Sequence, residues 1–389
     1  MKRITGILLL LFVFMNQISV QAATRENIQL SMENIEEIII ENSPEFKIIK
    51  NNVKKNEEIY DQLIEDFDDC EIKISKLKEE KRKDDLLKEP ITNESKEEDK
   101  KRSDKLDDEL EKENIKLENL KERKRNARYE LRMCRIRYEK DLQGLVEKAQ
   151  NQYIQYVDTM LKKDLKQLEV KVKNKQIEIN SLKYGNGFIS KKEYEKNLDD
   201  ITDFNNELKQ LENKEENELK DLLFALGIKN EKNVKCDINI NFDVDKILKI
   251  NFEEDLDEML LNNIDLKIRD IENDKLEDNL DNDLEVSDYD IKNNEISLKQ
   301  EKEKIKMEFE KKYKSLILSS SLIKTQNDKL SRTQDDALIM QTKYNYGFAS
   351  KKQVDELEVG LNNKNQDFIS QVNNLYMDYL SYMKMKDGY

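Results

Sequence analysis

The sequence predicts a mainly α protein, a tandem duplication of long antiparallel coiled-coil hairpins with little or no β-structure. Three observations predict it. Among 389 residues, 39% are charged and 37% hydrophobic, with only 8 Gly and 2 Pro, and so few breakers leave long uninterrupted helices. An aromatic content of 7% is too small for a thick core, so helices pack against helices in thin layers. Most telling, the phrase Lys183-Tyr184-Gly185-Asn186-Gly187-Phe188-Ile189-Ser190-Lys191-Lys192 returns as Lys343-Tyr344-Asn345-Tyr346-Gly347-Phe348-Ala349-Ser350-Lys351-Lys352, with seven of ten positions identical. Repetition of this kind fixes an architecture before any motif is weighed.

Taken in order, residues 1–22 read as a secretory signal peptide: Lys2 and Arg3, an apolar run from Ile7 to Met15, then the small-residue site Val20-Gln21-Ala22. The apolar run is well short of the roughly 20 residues a membrane span needs. A mature chain is expected to start near Ala23. The first helical module is assigned to 23–230, a connector to 231–252 and the second module to 253–389. Each module opens with an apolar-periodic helix, Ile35 to Ile40 and Leu256 to Leu261, followed by a second helix start. Ser43 and Asn263 are the N-caps there, with Pro44 at the first helical position and Glu45 and Asp265 in the first turn, where the helix dipole favours a carboxylate.

From Ser43 to Gly187 is 144 positions and from Asn263 to Gly347 is 84, so the first module holds about 60 extra residues. The charged segment 84–108, with Pro90 and almost no apolar periodicity, is expected to be an exposed linker or a frayed helical extension. In the connector, Val234, Cys236, Ile238, Ile240 and Phe242 alternate with polar residues, the pattern of one short strand.

Each repeated phrase is a helical corner. Gly187 and Gly347 end a helix in the left-handed conformation. Ser190 with Glu193, and Ser350 with Gln353, form capping boxes, while Ile189 with Tyr194 and Ala349 with Val354 stand at hydrophobic-staple positions. Ile201, Leu208, Leu211, Leu219 and Leu222 are the expected seam of the helix after the first corner. Leu361, Phe368, Val372, Leu375 and Tyr379 are that of the second. Turn chemistry does not require the shared Tyr184 and Tyr344, the shared Phe188 and Phe348, or the lysine pairs. A surface presented twice would explain them, and so would duplication without divergence.

Several functions are disfavoured. A net charge of −15 opposes binding to a nucleic-acid backbone, which needs a clustered positive field. The basic run from Lys121 to Arg137 follows acids closely and reads as a solvated or intrachain-paired helix face. The chain has no histidine, which removes the common triads, His-ligated zinc and the usual proton shuttle. Cys70, Cys134 and Cys236 show no metal-binding spacing. Neither an enzyme, a cofactor nor a metal is expected.

Asn42-Ser43-Pro44, the corners Tyr184 to Ser190 and Tyr344 to Ser350, and the closing Leu226-Gly227-Ile228 occur in the order found in outer-membrane efflux proteins. The chain resembles that TolC-like family over nearly all of its mature length. The resemblance implies a trimer whose helices form a periplasmic tunnel, continued by a β-barrel in the outer membrane. It places Tyr184, Gly187, Phe188, Ser190, Tyr344, Gly347, Phe348 and Ser350 at the tip where a pump adaptor docks. Family members often constrict the tunnel with acidic residues just past the second turn; the matching position is Gln353, with Asp355 and Glu356 nearby. The chain departs from the pattern at the barrel, because 84–108 and 274–290 stand in the places of its strands and are highly charged. An exported duct component is therefore expected in the cell envelope: in the outer membrane by resemblance, or at the surface or wall of an organism without one. The alternative is an exported coiled-coil scaffold without transport.

Overall fold

The computed structural model describes residues 28–86, 93–229, 234–237, 240, 242–282 and 287–389. The expected signal peptide and the stretch around Pro90 lie outside the described residues. The described elements are β1 (Ile28–Leu30), α1 (Ile35–Asn42), α2 (Pro44–Leu86), α3 (Asn93–Gly185), α4 (Lys191–Ala225), β2 (Val234–Cys236), a 3₁₀ segment Val244–Lys249, α5 (Phe252–Asn262), α6 (Ile264–Asp281), α7 (Asp288–Asn345) and α8 (Lys351–Lys386). Helix α3 alone has 93 residues, roughly 140 Å at the standard rise.

The two longest helices, α3 and α7, each pack against different partners toward their two ends. Toward one end α3 packs against α2 and α6, and α6 packs against α7; toward the other, α3 packs against α4 and α8, and α8 against α7. The second half repeats the first, with α5 to α8 standing for α1 to α4. The helix starts are capped as their residue types require: the Phe46 amide donates to Ser43 Oγ at 3.4 Å, and the Leu266 amide to Asn263 Oδ1 at 3.0 Å.

At the waist, where the short helices sit, lie two apolar clusters. One gathers Ile35, Ile39, Phe46, Val146, Tyr153 and Leu222, and the other Ile247, Met259, Phe309, Leu316, Leu375 and Tyr382. Tyr376, Met377 and Leu380 of the second repeat pack against the first cluster, so the waist joins both halves. Strand β2 pairs in parallel with β1, Ile28 opposite Val234 and Leu30 opposite Cys236. The buried Tyr153 hydroxyl reaches the carbonyls of Leu30 and Asp237 and clasps this ribbon to α3. Of the alternating stretch in the connector, 238, 239 and 241 lie outside the described residues. Ile240 and Phe242 are drawn into the two waist clusters.

The charged segment 84–108 is helical where it is described. Its described parts belong to two regular helices: 84–86 ends α2, and α3 begins at Asn93. The seam is one apolar residue per turn or fewer, Leu63, Cys70, Ile74 and Leu77 against Leu110 and Leu120, with Leu106 and Leu117 beside them. Crossing ion pairs supply the rest: Lys73 to Glu113 at 2.6 Å, Arg102 to Asp84 at 3.3 Å, and Lys81 to Asp107. The apolar positions keep heptad spacing, Leu63, Phe67, Cys70, Ile74 and Leu77 on α2 and Leu106, Leu110, Leu117 and Leu120 on α3, thinly set among charged residues. With 43 residues in α2 and 18 in α6, the α2–α3 arm runs roughly 37 Å beyond the shorter α6–α7 hairpin. The 60 additional residues are this arm.

The basic run is intrachain-paired. Arg128 and Arg132 meet Asp278 and Asp274 on α6 at 3.4 and 3.3 Å, and Arg135 meets Glu57 on α2 at 2.7 Å.

Candidate functional site

The two corners stand side by side at the end of the molecule away from the arm. Between them lies a cleft of about 570 Å³ lined by Lys183, Ile189, Glu193 and Lys196 from the first hairpin and by Lys351 and Asp355 from the second.

Each corner begins with the same helix stop. The Gly187 amide donates to the Tyr184 carbonyl at 3.0 Å and the Phe188 amide to that of Lys183 at 2.8 Å; at the second corner the matching bonds are 2.9 and 2.8 Å. These paired bonds form a Schellman motif, which needs a left-handed residue at its centre. Gly187 and Gly347 supply it at φ +76° and +82°, and a Cβ on either would meet nothing within 4 Å. The glycines answer a backbone demand and no packing demand.

The outgoing helices are capped unequally. Ser350 Oγ accepts from the Gln353 amide at 3.3 Å while Gln353 Oε1 accepts from the Ser350 amide at 2.8 Å, a complete capping box. At the first corner Ser190 Oγ accepts from the Glu193 amide at 3.2 Å, and no return bond from Glu193 is formed. The expected box is half built there, and the Glu193 carboxylate lines the cleft instead.

The shared aromatics separate into two kinds. Tyr184 stacks on Tyr194 with centroids 5.1 Å apart, bracing the incoming helix against the outgoing one. At the second corner position 354 is Val, and the Tyr344 ring instead carries Lys351 at 5.7 Å. Both tyrosines therefore have an internal duty. Phe188 and Phe348 have none: they are 78% and 83% exposed, and Tyr346 beside them is 75% exposed. Large apolar side chains held out from a rigid turn are what an interface anchor requires.

The three residues at the constriction positions are engaged locally. Gln353 completes the capping box, the mostly buried Asp355 pairs with Lys351 at 2.9 Å, and Glu356 pairs with Lys352 at 3.5 Å. The Asp355 carboxylate holds the Lys351 ammonium above the usual lysine range.

The sequence reading named Gly227 within the closing Leu226-Gly227-Ile228 but missed its counterpart Gly388. Gly227 and Gly388, at φ +73° and +97°, close each module with further Schellman bonds. A Cβ on Gly227 would lie 2.5 Å from the Asn42 carbonyl oxygen, and one on Gly388 2.3 Å from that of Asn262. Each module's last turn thus locks onto the junction between its first two helices. Asp387-Gly388-Tyr389 repeats the place of Leu226-Gly227-Ile228, and that parallel was the available signal.

No family model matches the chain, and no curated protein is similar in sequence. Solved structures are similar in fold. CusC, described for its conformational changes on folding and transmembrane channel formation, superposes at a TM-score of 0.53 with 10% identity over 96% of both chains. The outer-membrane channel OprN superposes at 0.52 with 8% identity over 92% of this chain and 90% of its own. Among the described residues the only strands are β1 and β2, of three residues each, and no helix is long and apolar enough to cross a membrane. The chain has the helical-tunnel fold of the TolC-like outer-membrane channels, with helices packed in pairs, α2 on α3 and α6 on α7, at the places where the resemblance implies barrel strands.

Proposed function

We propose that the chain is a duct protomer of a cell-envelope export system, assembling as a trimer and docking an adaptor of a pump through its two corners. The observation that supports this reading is the pairing of two near-identical, rigid corners at one end of a channel-type fold, each holding out an unpacked phenylalanine. In this reading Gly187, Ser190, Gly347 and Ser350 set the turns, Tyr184 and Tyr344 brace them, and Phe188 and Phe348 make the contact. Asp355 and Glu356, a turn behind the second corner, are the carboxylates that would narrow the mouth of the tunnel. Deleting the gene should impair efflux or secretion. The purified mature chain should form an oligomer and bind the adaptor encoded beside it. A chain that stays monomeric at high concentration and ignores that adaptor would overturn the proposal.

The helical arm supports a second reading, an exported coiled-coil scaffold without transport. Impaired efflux on deletion would exclude it.

A further inference from the structure

We propose that the surface received by the corners is an acidic, helical protein surface: an apolar pocket for Phe188 and Phe348 ringed by carboxylates. This rests on the docking reading above and gives the partner its chemistry.

The chain carries −15 overall, yet the two ten-residue phrases hold six lysines and no acid. Three of the six are balanced one turn behind the tip, Lys191 by Glu195, Lys351 by Asp355 and Lys352 by Glu356. Lys183, Lys192 and Lys343 are exposed and have no ion-pair partner among the described residues. The positive field is therefore confined to the extreme end, around the exposed Phe188, Tyr346 and Phe348. Folding does not ask for it, since the caps and Schellman bonds use serine, glutamine and main chain.

An aromatic anchor within a charged rim is the usual division of labour at a protein interface: the anchor sets the affinity, and the rim sets association rate and partner choice. Shape distinguishes a protein from a bilayer. The corners frame a concave cleft of about 570 Å³ whose walls carry both signs, Lys196 and Lys351 with Glu193 and Asp355. A flat anionic lipid surface would meet the phenylalanines but leave that cleft unfilled. A helix or helical hairpin with acidic side chains fills it.

The test uses the mature full-length chain and the adaptor encoded beside it, with affinity measured at 50, 150 and 300 mM NaCl. Four proteins are compared: wild type, Phe188→Ala with Phe348→Ala, the triple Lys183→Gln, Lys192→Gln, Lys343→Gln, and the same three sites changed to Glu. Circular dichroism checks that each is folded. The phenylalanine pair should weaken binding about 30-fold or more. The Gln triple should weaken it roughly 3- to 30-fold at 50 mM NaCl, mostly through association rate, and this loss should shrink at 300 mM. The Glu triple should be weaker still and should recover when carboxylates on the adaptor are changed to Lys. Tight binding that is indifferent to salt and to the lysine variants overturns the acidic partner and leaves docking standing. No binding at any salt overturns both. Sedimentation with vesicles containing about 30% anionic phospholipid, lost in the same variants while adaptor binding is not, assigns the tip to a membrane and overturns the proposal.

Discussion

Replacing Gly227 by Ala should destabilise the protein far more than replacing Gly187, although both occupy the same backbone conformation. At Gly187 the only penalty is φ +76°, because a Cβ would meet nothing within 4 Å. An L-residue held left-handed costs about 1–2 kcal/mol, and the stiffer unfolded chain returns about 0.4–1 kcal/mol, leaving roughly 1 kcal/mol. At Gly227 the same Cβ would sit 2.5 Å from the Asn42 carbonyl oxygen, 2.7 Å from its carbon and 3.0 Å from Pro44 Cδ. None of these can rotate away: two are main chain and the third is a ring at the first turn of α2. Relief requires the α1–α2 junction to separate from the end of α4 by most of an ångström, in a region walled by Leu222, Leu226 and Phe46. Overpacking of that kind adds about 1–3 kcal/mol, for a total near 3 kcal/mol. Urea unfolding followed by circular dichroism at 222 nm, run on both variants, measures the ratio. Equal losses, or a larger loss at Gly187, would refute the claim that the waist glycines are packing locks and the corner glycines only conformational ones.

Phe188→Ala and Phe348→Ala should each change stability by less than about 0.5 kcal/mol, since neither ring is packed; thermal melts check this. Leu77→Ala or Leu110→Ala should cost about 2–4 kcal/mol locally, and hydrogen exchange should show the arm opening while the waist around Tyr153 stays protected, because the arm's apolar cluster is separate. Tyr382→Phe removes a buried hydroxyl that donates to Asp255 Oδ2 at 2.8 Å; a loss of about 1–3 kcal/mol is expected, measured by urea unfolding. Burial pushes the Lys384 ammonium below the usual lysine range despite Glu147 and Glu36 nearby. Its folded pKa lies under its unfolded one, so the cost of charging it is fully present below the folded value and is relieved as pH rises from there to the ordinary lysine value. Lys384→Met removes that cost together with the bonds the ammonium donates to the Gln143 carbonyl at 3.2 Å and Gln150 Oε1 at 3.4 Å, so the variant's stability relative to wild type should fall in melts run from pH 7 toward pH 10.

Legibility in the sequence followed how local each signal is. The corners were readable because Gly, Ser and the residue three beyond Ser act within one turn of chain, and the N-caps at Ser43 and Asn263 for the same reason. The seam of α4 and α8 was readable because leucines at heptad spacing mark the buried face whatever the partner: Ile201, Leu222 and Leu375 are buried. The arm carries the same heptad spacing, Leu63, Phe67, Cys70, Ile74 and Leu77, yet was not read as a seam, because charged residues crowd round those few positions and its ion pairs join residues such as Lys73 and Glu113 that lie far apart in sequence. Strand β1 was invisible for a related reason: three residues, Ile28 to Leu30, become a strand only where β2 and the Tyr153 hydroxyl are brought to them. Splitting the aromatics of the corner into bracing tyrosines and exposed phenylalanines also required geometry, since both types recur equally in the two phrases.

The inequality of the two repeats falls entirely on one side of the waist, and this bears on where function resides. On the corner side the lock-to-corner helices α4 and α8 have 35 and 36 residues, a mismatch of about 1.5 Å in height. On the other side α2 and α6 have 43 and 18. Nothing in the stability of a helical hairpin prefers one length to another, and the long arm shows that a hairpin here can grow by dozens of residues with only a thin seam to hold it. Near-equal lengths on the corner side are what a partner seating both corners at one level would require, and duplication without divergence would also leave them equal. The waist locks make this requirement enforceable: with Gly227 fixed against Asn42 and Gly388 against Asn262, the height of each corner depends only on the helix that follows it. A surface used one corner at a time would not need that agreement, whereas a partner that seats both phenylalanines at once would.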